Sequence, residues 1–232
     1  MRISFPPRRW SVGLAIIAIL PDVPERGTMK IIRGRGFAMI LFVCEGNVCR
    51  SVLAAALFRA ADPLPASGVE VRDAGITALV GAPADPLTVD IGHRLGVDMS
   101  DHRARQVSDE EIAEASLILT ATRAIRSQIV QMHAPAVRYS YSIRQVGRIL
   151  NNSAHTFDPD AWGHTDALAA FVQFVNQERG PVGRGPAADD DIVDPYGQSL
   201  RVHELAAQQI VASIGLLSDA LQGSTIAWVP AS

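Results

Sequence analysis

Only two cysteines occur in this chain of 232 residues, and both fall within the stretch Cys44–Arg50. A pair so close together excludes a disulfide framework and a four-thiolate metal centre. It fits a reducing cytoplasm. An excess of cations is missing too. Against 24 Asp and Glu stand 21 Lys and Arg, for a net charge of −3, so nothing supplies the basic footprint of a nucleic-acid binder. Long apolar runs are also lacking. Val12–Leu20, preceded by Arg8 and Arg9 and followed by Pro21, falls far short of the roughly 20 residues that span a bilayer. It looks like the charged start and short apolar core of a signal segment, but Ile19-Leu20-Pro21-Asp22 is a poor cleavage site. Residues 1–38 therefore read as a disordered extension or an overlong start, with Met29 and Met39 as alternative starts. No stable membrane association is expected. The stretch 223–232 reads as a tail.

What remains is 39–222. With 48% hydrophobic and 19% charged residues the chain can bury one sizeable core. There are no repeats. Pro181-Val-Gly-Arg-Gly-Pro186 is a flexible connector without the Lys-Ser/Thr of a nucleotide loop. His93, His133, His155, His164 and His203 show no paired ligand spacing. Neither a metal nor a cofactor is expected.

The centre of the chain is Leu41-Phe-Val-Cys44-Glu45-Gly46-Asn47-Val48-Cys49-Arg50-Ser51. A strand-like apolar run leads in and an Ala-rich helical pattern follows. A loop between the two can wrap backbone N–H groups around a tetrahedral oxyanion at a helix N-terminus. Cys44 would lie below the phosphorus as a thiolate, the form in which a thiol is a nucleophile. Arg50 would hold two oxygens in its planar fork, which Lys cannot do. Gly46 is expected to adopt a backbone conformation closed to other residues, and Asn47 to tolerate the left-handed region. Ser51 is expected to cap the helix and to donate to Cys44. The pattern implies phosphate-ester hydrolysis through a covalent cysteine intermediate.

A second element lies downstream in Asp189-Asp190-Asp191-Ile-Val-Asp194-Pro195-Tyr196-Gly197. A departing aryl or alkyl oxide needs a proton, and an Asp on a rigid loop can supply it. Pro195 stiffens the backbone beside Asp194, and Tyr196 offers a ring against an aromatic leaving group.

Strand patterns fall at Met39–Val43, Val69–Asp73 and Leu117–Thr120, with a fourth at Val137–Ser140. Helices are expected over Ser51–Ala61 and from Pro86, capped by Asp85 and ended at Gly96, with Leu87, Ile91 and Leu95 on one face. Ser108-Asp-Glu-Glu111 is a capping box. Further helices read over Thr122–Met132, Thr165–Glu178 and Ser199–Leu221, the last with Leu200, Leu205, Ile210, Ile214 and Leu217 on one face. Alternating strands and helices argue for an α/β single domain. Its open, parallel, four-stranded sheet would carry helices on both faces, with the phosphate loop at the carboxyl end of strand one.

From about Met39 to Leu221 the sequence resembles the low-molecular-weight protein tyrosine phosphatases. The resemblance is carried by Val43–Ser51 and Asp194–Gly197, with Asp73-Ala-Gly75, Val80–Pro86 and His102–Ser108 between them. It implies that Cys44 is the nucleophile, Arg50 the phosphate clamp and Asp194 the general acid. It makes Glu45, Gly46, Asn47, Val48, Cys49 and Ser51 the phosphate-binding loop, with His102 bonding to Asn47 from behind. The implied substrate is a phosphotyrosine protein, with a bacterial-type tyrosine kinase among the candidates. Departures are Val52 where many members have Pro, an acidic Glu45 near the mouth, and a long Asn151–Asp191 segment. No aromatic occurs in Ile76–Val80, which leaves Leu79 and Tyr196 as the substrate wall. Alternative functions are an arsenate reductase of the same fold or a non-catalytic phosphotyrosine-binding module. A multi-cysteine relay is impossible with no Cys beyond Cys49. For Cys49 two readings stand: a redox partner that traps oxidised Cys44, or a small residue filling the underside of the loop.

Overall fold

The computed structural model describes residues 38–64, 68–158, 167–183 and 185–222. The expectations for 1–37, 165–166 and 223–232 lie outside these. Four strands, β1 (Met39–Cys44), β2 (Glu70–Gly75), β3 (Leu117–Thr120) and β4 (Ser140–Ser142), form one sheet in the order β2-β1-β3-β4. All pairings are parallel. β1 is buried along its whole length, which is why it reads as an unbroken apolar run rather than an alternating one. Its side chains still alternate between two cores. Ile40 and Phe42 face one, while Met39, Leu41 and Val43 face the other.

On the first face pack α1 (Arg50–Ala61), α2 (Pro86–Arg94), α5 (Ile143–Asn152), α6 (Ala167–Glu178) and α8 (Leu200–Leu221). The second face is covered by α3 (Asp109–Glu114) and α4 (Arg123–Met132). Local chemistry sets the helix starts. Asp85 accepts from the N–H groups of Leu87 and Thr88, Ser108 and Glu111 form both halves of a capping box, and Thr122 accepts from Ile125 N. Gly96, at φ +83°, ends the turn after α2.

Four expectations are corrected. The fourth strand is Ser140–Ser142, not Val137–Ser140, because Pro135 opens a 3-10 turn over Ala134–Arg138 that leaves Val137 exposed. Ser51 does not cap α1. Cys49 holds that position without a side-chain bond, and Ser51 already lies inside the first turn. Gly46 is not among the positive-φ residues; Asn47, at φ 55°, makes the left-handed turn. The buried face of α8 runs through His203, Ala206, Ala207, Ile210, Ile214, Leu217 and Leu221, and Leu200 and Leu205 are exposed.

The long segment after Asn151 has a structural use. Phe157 packs edge-on against Phe171 of α6 at 5.4 Å, and Leu168, Phe171, Phe174 and Val175 enter the first core. α5 itself was not expected from the sequence. Ser142 caps it, and its Gly147 lies against α8 so closely that a Cβ there would meet Ser213 at 3.1–3.2 Å.

Candidate active site

Six consecutive carbonyls, from Cys44 to Cys49, are turned outward and bonded to the surrounding chain. Their donors are the N–H groups of Ile76, Thr77, Leu79, Asp85 and Leu53 and the His102 ring, the last reaching Asn47 O at 2.7 Å. Among the described residues, none of the N–H groups of residues 45–49 has an acceptor. With the carbonyls held outside, the unpaired donors belong to the concave side, next to the N-terminus of α1. That is the anatomy of an anion cradle.

Cys44, 2% exposed, lies at the end of β1 beneath this loop. Its Sγ is 3.0 Å from Ser51 Oγ, so the hydroxyl can donate to a thiolate. Asn47 is the loop's keystone. Its Nδ2 donates to Ser51 Oγ at 3.0 Å and to Asp73 Oδ1 at 2.8 Å, and its Oδ1 accepts from Arg105 N at 2.8 Å. These bonds hold a non-Gly residue in the left-handed region, which otherwise costs about 1–2 kcal/mol. His102 Nε2 carries a hydrogen, since the Asn47 carbonyl can only accept. Its Nδ1 is 3.6 Å from Asp73 Oδ1. Asp73, which sequence reasoning left off the site, thus ties Asn47 to Arg59, whose Nη2 donates to Asp73 Oδ2 at 3.0 Å. Its signal was available in the Asp-Ala-Gly triplet at the end of β2.

Arg50 and Asp194, 144 positions apart in sequence, meet through Nη2 and Oδ2 at 2.9 Å. The arginine is 5% exposed and the aspartate 53%. Arg50 Nε is buried with no partner among the described residues. With Nη1 donating to Ile192 O at 3.5 Å, Nε is the free donor, and Nη2 can join it on a tetrahedral anion once its bond to Asp194 opens.

The acidic run divides sharply. Asp190, on the short α7 (Ala187–Asp190), is fully buried between Arg123 and Arg148. Burial pushes its carboxyl pKa up, but bonds to the two arginines overcome this and hold it below the usual range. Asp191 Oδ1 accepts from Arg123 N at 2.7 Å, and Ile192 N donates to Ala121 O at 2.9 Å. These anchors fix the loop that presents Asp194. Tyr196 N closes a turn onto Asp194 Oδ1 at 3.3 Å.

Leu79 is 41% exposed, and Tyr196, two residues beyond Asp194, is 55% exposed. Leu79 approaches the loop, since a Cβ built on Gly46 would meet its Cγ at 3.6 Å. Glu45 is exposed and accepts from Thr77 Oγ1 at 2.6 Å. Val48 packs with Cys49 and Ala104 under the loop. The Cys49 thiol is buried and bonds to Thr88. Burial pushes its pKa up to about 12, the surroundings of a packed thiol rather than a reactive one. A larger hollow of about 550 Å³, lined by Ser116, Arg138, Tyr139 and Gln173 among others, shares no residue with this loop and contains no cysteine.

Comparison with known proteins agrees with this geometry. The family model described as low molecular weight phosphotyrosine protein phosphatase matches residues 39–179. The probable low molecular weight protein-tyrosine-phosphatase EpsP of Ralstonia nicotianae is 45% identical over 191 residues, 82% of this chain and 93% of that protein. A protein-arginine-phosphatase of Geobacillus stearothermophilus is 30% identical over 183 residues, 79% of this chain and 95% of that protein. The solved structure of the YwlE arginine phosphatase of the same organism superposes with a TM-score of 0.57 at 28% identity, covering 80% of this chain and 93% of that one. With a match over most of its folded length and the sheet and anion loop in place, this chain belongs to the low molecular weight phosphotyrosine protein phosphatase family.

Proposed function

We propose that this chain hydrolyses phosphotyrosine esters on proteins through a cysteinyl-phosphate intermediate. The observation that carries the reading is the ring of unpaired N–H groups over Cys44. Such a ring stabilises the charge of a phosphoryl group in transit. Cys44 attacks phosphorus in line, so the S–P bond forms as the P–O bond to the tyrosyl oxygen breaks, and Asp194 gives that oxygen its proton. Water then attacks phosphorus, Asp194 takes the water's proton, the S–P bond breaks, and phosphate leaves with the thiolate restored. Arg50 exchanges its Asp194 bond for two phosphate oxygens, which frees the carboxyl for proton transfer. Glu45–Cys49 and Ser51 line and order the loop, His102 supports it, and Leu79 and Tyr196 flank the substrate ring. The catalytic domain is 39–222, with 1–38 and 223–232 outside it.

The setting is a reducing cytoplasm, which keeps Cys44 a thiol. No described helix is long and apolar enough to cross a membrane. An autophosphorylated tyrosine kinase, which carries phosphotyrosine on its own chain, is the partner class proposed. The test is turnover of p-nitrophenyl phosphate and a phosphotyrosine peptide, with a phosphoarginine protein and arsenate as competitors. Phosphotyrosine turnover with little action on the other two is expected. Arsenate reduction without ester hydrolysis, or preference for phosphoarginine, would overturn the assignment.

A further inference from the structure

Behind the phosphate loop, three side chains that the hydrolysis does not use converge from separate parts of the chain. Cys49 ends the loop, Asp85 begins α2 and His203 lies on the first turn of α8. Their ligand atoms all lie within 4.8 Å of one another. Cys49 is 3% exposed and the His203 side chain 1%. His203 Nδ1 is 3.1 Å from Thr88 Oγ1 and 3.7 Å from Asp85 Oδ1. Cys49, Thr88 and His203 also line a cavity of about 10 Å³, roughly one water-sized sphere. Every other core position of α8 is apolar or a small Ser. The Thr88 hydroxyl partners both the Cys49 thiol and His203 Nδ1, so a thiol, an imidazole and a carboxylate share one small, largely buried pocket.

We infer that Cys49, Asp85 and His203 form a binding site for a borderline-soft divalent cation of the zinc class. One thiolate, one imidazole and one carboxylate supply a zinc-type donor set, whereas calcium and magnesium prefer oxygen alone. The fourth position falls to Thr88 Oγ or a water. Ligands around tetrahedral zinc stand about 3.3–3.8 Å apart, given Zn–N and Zn–O near 2.0–2.2 Å and Zn–S near 2.3 Å. The trio therefore needs to close by only about an ångström. Binding forms the S–metal bond and releases the Cys49 proton to solvent, so two anionic ligands balance the dication beside the Arg50 guanidinium. The site joins the end of the phosphate loop to α2 and α8, so occupation stiffens the base of the loop without covering Cys44.

The test uses the whole chain with Cys44→Ser, which removes the competing thiolate at the oxyanion pocket. Titration with Co²⁺ alone should give one equivalent bound, with a thiolate-to-cobalt charge-transfer band in the near ultraviolet. Zn²⁺ should abolish the band and raise Tm, and phosphate should not displace the metal. Cys44→Ser/Cys49→Ser should lose the band. Cys44→Ser/His203→Gln should bind more than about 100-fold more weakly, beyond the loss usual for an outer-sphere contact. No band in the folded Cys44→Ser protein overturns the proposal, and needs no further variant to fold. So does a band that survives loss of Cys49, or binding unchanged by His203→Gln. None of these readouts depends on phosphatase turnover.

Discussion

Asp190 and Asp194 lie four residues apart and should fail in opposite ways when each is changed to Asn. Asp194 is 53% exposed and its ion pair to Arg50 opens to solvent. A pair so hydrated is worth about 0–1 kcal/mol, so Asp194→Asn should shift Tm by no more than about 4 °C in a domain of this size. In the proposed mechanism its chemical role is larger. Losing a positioned proton donor slows turnover about 10²–10⁴-fold, equivalent to about 3–5 kcal/mol of transition-state stabilisation. That loss should shrink with aryl phosphates whose leaving groups are weaker bases, since they depart with less protonation. Asp190 is fully buried between two arginines. Asp190→Asn leaves both guanidinium groups short of their counter-charge, at a cost of about 3–5 kcal/mol, or a fall in Tm of roughly 6–20 °C. Its kcat on the remaining folded protein should drop far less than that of Asp194→Asn. Single-turnover kinetics with a phosphotyrosine peptide and a graded aryl phosphate series, alongside calorimetry, separate the two. The reasoning is refuted if Asp194→Asn keeps kcat within tenfold of the parent, or if Asp189→Asn or Asp191→Asn is the slower enzyme.

Cys44→Ser should abolish turnover yet bind vanadate or phosphate by calorimetry, because the loop N–H groups and Arg50 remain; substantial residual turnover would remove Cys44 from the chemistry. Asn47→Ala should lower stability by about 2–6 kcal/mol in denaturant titration, since Asp73 and Arg105 N each lose a buried partner, and should weaken phosphate binding with it. Gly75→Ala should displace the loop, since its Cβ would stand 2.5 Å from Glu45 O and 2.9 Å from Ala78 Cα; unchanged phosphate affinity would show that the backbone yields freely there. The Asp190 pKa lies below the usual 3.8, so the native state binds that proton less readily than the unfolded chain. Its contribution is therefore complete above about pH 4 and fades as pH falls further. The gap in Tm between the parent and Asp190→Asn should accordingly narrow below pH 4.

Elements whose signals are local were legible. Asp85-Pro86, Ser108–Glu111 and Thr122 are caps complete within four residues, and each opens a helix where expected. β1 and β3 announce themselves by unbroken apolar runs, because both faces of a parallel sheet are covered. Val137-Arg-Tyr has a strand's composition, yet Pro135 upstream turns it into a 3-10 bend, so that β4 starts only at Ser140. α5 is not legible in the sequence because its buried set, Ile143, Val146, Gly147 and Ile149, includes a glycine whose value appears only against Ser213 of α8. The α8 face is not legible in the sequence because Leu200 and Leu205 are apolar by type yet exposed, while His203 and two alanines take buried positions.

By itself, then, the sequence determined the parallel α/β class, the strands β1 and β3, the capped helix starts and the loop Cys44–Ser51. Those depend on side-chain period and on bonds between near neighbours. Tertiary structure alone decided what surrounds the loop: Asp73 and Arg105 N on Asn47, Asp194 on Arg50, and Asp85 with His203 behind Cys49. It also separated the carboxylates of one acidic run, burying Asp190 as an anchor and leaving Asp194 in solvent beside Arg50. The physical reason is that burial and pairing of a charge depend on groups brought close by packing, and packing joins residues as far apart as Cys49 and His203, 154 positions in sequence, for which local sequence holds no signal.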